Sequence, residues 1–364
     1  MKCAALVCLL LAAPLWAQTR ELDVAPTDGW ADTSVDVKAG DTLQITATGQ
    51  LQYVNAAQPN GPAGLPRGFA DLTRVLQLNE AGRGALIGRI GSSTAARPFL
   101  IGEQVTTKAP VDGRLYVAIN QSAFDQGAGS YHVTIARTAA ATAAPASVTV
   151  PFFPKSLLDT IPTRVSDPNG APGDRVNFII IGSQEQMQAA FKAAGWVVVD
   201  RTQREAVLSG LFASLSKEAY VTLPMSELHL FGRPQDFGYA QADPLRVVAS
   251  RHHFRIWKVP DQLDGLTVWA GAGTHDIGFD RDQRNNGITH RIDPDTDGER
   301  DYIRDSLMQT GLVVKAAYVT PTDPVREAKT ATGSSFHSDG RTLLIYLAGT
   351  PIGASSTASE APPK

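Results

Sequence analysis

Residues 177–200 read NFIIIGSQEQMQAAFKAAGWVVVD, and three elements follow one another in them. Asn177-Phe178-Ile179-Ile180-Ile181-Gly182 is a short, unbroken apolar run, the pattern of a strand covered on both faces. Ser183-Gln184-Glu185-Gln186 opens a helix whose Met187, Ala190, Phe191 and Ala194 share one stripe, and Gly195 ends it. Trp196 to Asp200 reads as the next strand. Downstream, the pattern predicts a helix over 206–215 and strands over 227–231, 237–242, 251–259 and 266–272. A third helix over 297–309 and strands over 312–319 and 342–347 follow. Consecutive strands with short connections predict an α+β domain, a mainly antiparallel sheet with helices packed on it.

Upstream the pattern changes to period two. Leu43, Ile45 and Ala47 alternate with polar residues after an Ala39-Gly40-Asp41 turn, and 33–37, 84–91, 114–119 and 130–135 repeat the style. Short alternating strands with Gly/Asp turns predict an N-terminal all-β sandwich. His132 falls opposite Tyr131, Val133 and Ile135, so it should face solvent.

The length of 364 residues suits two domains, and 43% apolar residues can supply real cores. Residues 137–151, beginning RTAAATAAP, read as an Ala/Thr/Pro linker between domains at 22–136 and 152–349. Residues 350–364 read as a disordered tail. Residues 1–17 have a basic start, an apolar run from Cys3 to Leu15 and Ala17 before Gln18, the pattern of a cleavable signal peptide. The expected location is periplasmic or secreted. No later stretch is apolar enough for an integral membrane segment. The 33 basic residues nearly balance 36 acidic ones, giving a net charge of −3, which argues against nucleic acid as a partner. Both cysteines, Cys3 and Cys8, lie in the leader, so thiol catalysis, disulfides and Cys-ligated metals are excluded from 18 onward.

The blocks AGDTLQITATGQLQY, GALIGRIG, DGRLYVAIN and GAGSYHVTIAR make residues 28–136 resemble the PA-IL-like galactose-binding lectins. The resemblance implies a sandwich that binds sugar through a calcium ion, with Tyr53, Asn120 and Asp125 at the ligand-binding positions. The loop 120–127 is shorter than that family's and carries Gln121 where an Asp is expected. A sandwich that keeps the fold without the site therefore stands as the alternative.

Chemistry-bearing residues concentrate in the second module. Five of the seven histidines fall within 229–290. On a strand over 251–259, His252, Phe254 and Ile256 share one face, and His253, Arg255 and Trp257 the other, so only one of the paired histidines can enter a given site. His275 and Asp276 follow the 266–272 strand; His290 and Asp293 precede the third helix. Neutral imidazoles with nearby carboxylates suit a divalent metal, with His252, His275, His290 and Asp293 as ligands. They also suit acid–base catalysis by His252, His253, His275, Asp276 and Glu299. Arg251 and Arg255 are candidates for holding an anionic group. A structural reading competes: Thr296-Asp297-Gly298-Glu299 spells a helix capping box, and Asp295 and Asp297 suit a helix N-terminus. Asp293-x-Asp295-x-Asp297-Gly298 also begins like a calcium loop, but Arg304 occupies its twelfth position. His229 and His337 are expected to be structural or exposed.

GDRVNFIIIGSQEQMQAAFKAAGW, LHLFGRPQDFGY, RHHFRIW and THRIDPDTDGERDYI together make residues 155–349 resemble the LssY C-terminal domain family. The resemblance implies a bacterial envelope setting but no established reaction, and points to His290, Asp293, Glu299 and Asp301 as the meaningful part of the last block. Two functions remain open. One is an envelope hydrolase, metal-assisted or acid–base; the other is a non-catalytic binding protein that recognises a glycan, an anionic ligand or a partner, the ligand being a small molecule or an envelope component. No G-x-S-x-G or H-E-x-x-H signature decides between them. The oligomeric state is not readable.

Overall fold

The computed structural model describes residues 18–67, 76–140, 149–199, 225–242, 251–281 and 288–349. The first domain is a sandwich of two four-stranded sheets. One holds β1 (Gln18–Val24), β8 (Gly127–Thr138), β3 (Thr42–Tyr53) and β6 (Gln104–Lys108) in that order. The other holds β2 (Ala31–Val37), β7 (Gly113–Ile119), β4 (Leu86–Ile90) and β5 (Phe99–Leu100). The strands alternate as the sequence predicts: Leu43, Ile45, Leu115, Val117, Val133 and Ile135 fill the space between the sheets. His132 is exposed beside Asp23, 2.9 Å away. Strands β1 and β6 escape sequence reading because QTRELDV and QVTTK carry few apolar residues.

The second domain begins with α1 (Lys155–Thr160), β9 (Arg164–Ser166) and β10 (Pro172–Arg175). Next come β11 (Phe178–Ile181), α2 (Gln184–Ala193) and β12 (Val197–Val198). After β13 (His229–Leu230) and β14 (Arg233–Pro234) run β15 (Phe237–Ala242), β16 (Arg251–Leu263), β17 (Leu266–Arg281) and β18 (Ile288–Ile292). The chain closes with α3 (Thr296–Met308), β19 (Val313–Val319), β20 (Glu327–Lys329), β21 (Ser335–His337) and β22 (Thr342–Leu347).

The main sheet runs β12-β15-β16-β17-β11-β22-β19, with β18 pairing β17. Among the described residues its one parallel pair is β11 with β22. Both strands are buried throughout, which explains their unbroken apolar sequences. One face carries Phe178, Ile180, Phe254 and Ile256 against Met187 and Phe191 of α2 and Ile303 and Leu307 of α3. The other carries Ile179, Ile181, Trp257 and Val268 against Leu157 and Leu158 of α1 and Leu228 and Leu230 at β13. The fold is therefore α+β and mainly antiparallel. Helix α2 has the expected stripe, and Ser183 and Gln186 form a reciprocal capping box. The helix predicted over 206–215, most of the linker, the leader and the 350–364 tail lie outside the described residues. Among the described residues no helix is long and apolar enough to cross a membrane.

The two domains touch at polar contacts. Ser93 Oγ donates to Asp305 Oδ2 at 3.1 Å, Gln309 Nε2 donates to the Ile90 carbonyl at 3.0 Å, and Arg97 donates to the Ala193 carbonyl.

Candidate active site

The site is built where α3 crosses β16 and β17. Gly273 makes the crossing close: a Cβ there would stand 2.6 Å from Ile303 Cδ1 and 3.4 Å from Glu299 Cγ. Helix α3 is capped by Asp295, whose carboxylate accepts from the Asp297 and Gly298 N–H groups. This corrects the capping box read from the sequence. Thr296 is the first helical residue and donates to the His337 carbonyl at 3.2 Å instead. Glu299 is thereby released from capping and turned onto the sheet. Asp297 accepts from Ser338 Oγ, the Asp339 N–H and Arg300, so the Asp293–Gly298 segment is tied into helix capping and ion pairing instead of a calcium loop. Asp295→Ala should cost about 1 kcal/mol of stability, read from denaturant unfolding. An unchanged midpoint would contradict the cap.

Glu299 is only 2% exposed, and its Oε2 lies 2.6 Å from His252 Nδ1. Its Oε1 is buried with no hydrogen-bond partner among the described residues. Burial pushes the Glu299 carboxyl above its ordinary range, opposed by the nearby His252. Tyr302, one turn further along α3, stacks on the His252 ring with centroids 3.6 Å apart and planes 5° apart. On the other side lies His275, the cross-strand partner of His252, with centroids 4.2 Å apart. The imidazole is held between two rings and oriented by a carboxylate. With Glu299 ionised, Nδ1 carries the shared proton and Nε2 is left with a free lone pair.

These groups line a cleft of about 620 Å³ between the domains. Asp293 also lines it, with Oδ2 4.0 Å from His275 Nδ1. The sandwich contributes Trp30, Arg89, Ser93 and Thr94. Tyr302, Arg89 and Trp30 escape sequence reading. Tyr302 had a signal, since three residues after Glu299 it must share that helix face. Arg89 and Trp30 had none, because sequence does not say which edges of two domains meet.

The remaining candidates point the other way. Strand alternation sends Arg251, His253 and Arg255 of β16, with Thr274 and Asp276 of β17, to the opposite face of the sheet. There they line a separate cavity of about 110 Å³ with Asp174. Arg251 pairs with Asp276 at 3.3 Å, Arg255 with Asp174 at 3.7 Å, and His253 Nε2 meets Thr274 Oγ1 at 3.0 Å. Burial holds the His253 imidazole down at about 3 and raises Asp174. His253, Asp276, Arg251 and Arg255 therefore cannot act in the cleft that holds His252. The metal set is brought together only in part. His252, His275 and Asp293 share the cleft, while the His290 side chain lies outside the described residues. Among the described residues no three His, Cys, Asp or Glu side chains stand close enough to hold a metal ion.

The lectin-type positions of the sandwich are already used internally. Asp125 is buried against Arg83 at 3.0 Å and accepts from Ser122. Asn120 donates to the Leu78, Ala81 and Gly82 carbonyls and accepts from the Leu78 N–H. The Tyr53 carbonyl accepts from Gln52 Nε2 and the Ala56 N–H. A calcium ion needs six to eight oxygens with uncompensated charge. Here the one loop carboxylate is neutralised, so the calcium and sugar site implied by Tyr53, Asn120 and Asp125 does not fit these residues.

Fold and site define a two-domain protein, a β-sandwich set against an α+β domain, with an oriented histidine in the cleft between them. The family model LssY C-terminus matches residues 158–342, more than half of the 364 residues, and the chain belongs to that family. Among solved structures, a chain titled "EclA N-terminal domain; PllA-like lectin" is 21% identical. It covers 34% of this chain and 95% of its own length, with a TM-score of 0.25, too weak a likeness to carry an argument. No curated protein matches.

Proposed function

We propose that this chain is an exported protein of the bacterial envelope, and that its second domain hydrolyses an envelope component by acid–base chemistry. The observation that carries the reading is the His252–Glu299 pair, with its buried, unpartnered Oε1, opening onto a cleft that both domains wall. A neutral His252 takes a proton at Nε2 as water attacks the substrate, and Glu299 stabilises the imidazolium. The same proton then passes to the leaving group as its bond breaks. His275 and Tyr302 keep the ring in plane. Support for export comes from the leader-like residues 1–17 and from the lack of cysteine beyond them.

A divalent ion held by His252, His275, Asp293 and His290 would supply a water of lowered pKa instead. The test is a panel of chromogenic carboxylic esters, phosphoesters and glycosides, run on wild type and His252→Ala with and without chelator, beside elemental analysis. The expected result is turnover that survives the chelator and is lost in His252→Ala. Turnover abolished by chelator, with stoichiometric metal, replaces the acid–base route by the metal-assisted one. A folded chain that turns over nothing is the binding protein instead.

A further inference from the structure

Arg89 is the part of the cleft that the His252–Glu299 pair leaves unexplained. It stands on β4 of the sandwich, with its guanidinium carbon 4.4 Å from the Trp30 ring centroid and 5.6 Å from that of Tyr116. Its Nε is buried without a hydrogen-bond partner, and it enters no ion pair among the described residues. The fully buried arginines each meet a carboxylate, whereas half-buried Arg89 does not: Arg83 meets Asp125, Arg175 meets Asp297, Arg251 meets Asp276, Arg255 meets Asp174, and Arg300 meets Asp297 and Asp339. Desolvation pulls the Arg89 guanidinium below its ordinary value, opposed by Tyr116. A positive charge half removed from water, held by two rings and without a counter-ion among the described residues, is an unfavourable arrangement. The energy is recovered when an oxyanion arrives, because a planar guanidinium held in place loses little freedom on binding one.

On the opposite wall Glu299 is turned onto His252, 2.6 Å away, and Asp293 toward His275, 4.0 Å away. Asp295 caps α3, Asp301 meets Arg300 and the Tyr318 hydroxyl, and Asp305 meets Arg304 and Ser93. These carboxylates would repel an anion along α3, so an anionic group in this cleft is driven to the sandwich end.

We propose that the cleft takes a ligand bearing an oxyanion, a phosphoryl or carboxylate group, and that Arg89 of the sandwich binds it. The first domain then selects by charge what the second domain acts on; this last step rests on the hydrolase reading, whereas the binding does not. Polarity follows too: the anion lies at Arg89, and the bond to be cut lies toward His252.

Calorimetric titration of the full chain with phenylphosphonate, benzoate and the neutral benzyl alcohol tests this, none of the three being hydrolysable. Saturable binding of at least one anion, and none of benzyl alcohol, is expected. Arg89→Gln should weaken that binding at least about ten-fold, as loss of a charge-assisted hydrogen bond does, with Arg89→Lys in between. Arg89→Met keeps the apolar stem between Trp30 and Tyr116 and guards against a folding defect in the first variant. Which anion binds separates a phosphoryl from a carboxylate ligand. The proposal is overturned if neither anion binds wild type, or if folded Arg89→Gln and Arg89→Met bind as wild type does. Arg89-dependent binding without any His252-dependent turnover removes the hydrolase reading and keeps the subsite. Turnover without anion binding does the reverse.

Discussion

Glu299→Gln should lower kcat about 100- to 1,000-fold on any substrate the wild type hydrolyses, with the fold unchanged, because it removes the charge that orients and stabilises an acid–base histidine. The expectation comes from the 2.6 Å contact between Glu299 and His252 Nδ1 in a wall that water does not reach. It carries a pH signature. Burial raises the Glu299 carboxyl, so its ionised form is lost at a pH above the ordinary carboxylate range. Wild-type rate should therefore fall as pH drops through that raised value, and the part of the acid limb that Glu299 contributes should be absent from the residual rate of Glu299→Gln. A rate that falls less than about three-fold, or an acid limb unchanged in the variant, would mean that the pair is structural.

The second large effect is on stability. His253, on the other face of the same strand, is 6% exposed and held neutral, its imidazole lowered to about 3. An unfolded chain protonates that ring near pH 6.5. Between those limits the unfolded state binds more protons than the folded one, so stability is present above about pH 6.5 and lost as pH falls. The loss from this group is about 1.4 kcal/mol per pH unit, or roughly 2 kcal/mol between pH 6.5 and 5. Asp174, raised by burial, slopes the opposite way, so the readout is the difference between wild type and His253→Gln. Urea unfolding at pH 7.5 and 5.0 should show wild type losing about 2 kcal/mol more than the variant. Parallel pH dependences in the two proteins would contradict the buried neutral imidazole.

Much of the fold was legible because its elements are locally consistent. The Ser183 cap, the Met187–Phe191 stripe and Gly195 fixed α2, and the apolar runs of β11 and β22 announced strands buried on both faces. Strand alternation on β16 puts His252 and His253 on opposite faces, and the two line different cavities. What failed depended on distance or on a shift of one residue. Thr296 and Glu299 match a capping box in spelling, but Asp295 caps the helix and frees Glu299 for His252. Strand β17 runs on to Arg281, so His275 lies within it, opposite His252, and not in a loop beyond it. The Asp125 carboxylate suggested a ligand site until Arg83, 42 residues earlier, was found against it. The cleft itself exists only because two separately coded domains meet.

Glu299 should hold His252 with its proton on Nδ1 and a bare Nε2 facing the cleft. Nitrogen-15 NMR of histidine-labelled protein at pH 8, with the His252 signal assigned by its loss in His252→Gln, tests it most directly. Nδ1 protonated and Nε2 bare, with that preference relaxing in Glu299→Gln, is the expected result. A His252 ring protonated at Nε2, or a tautomer indifferent to Glu299, would contradict it.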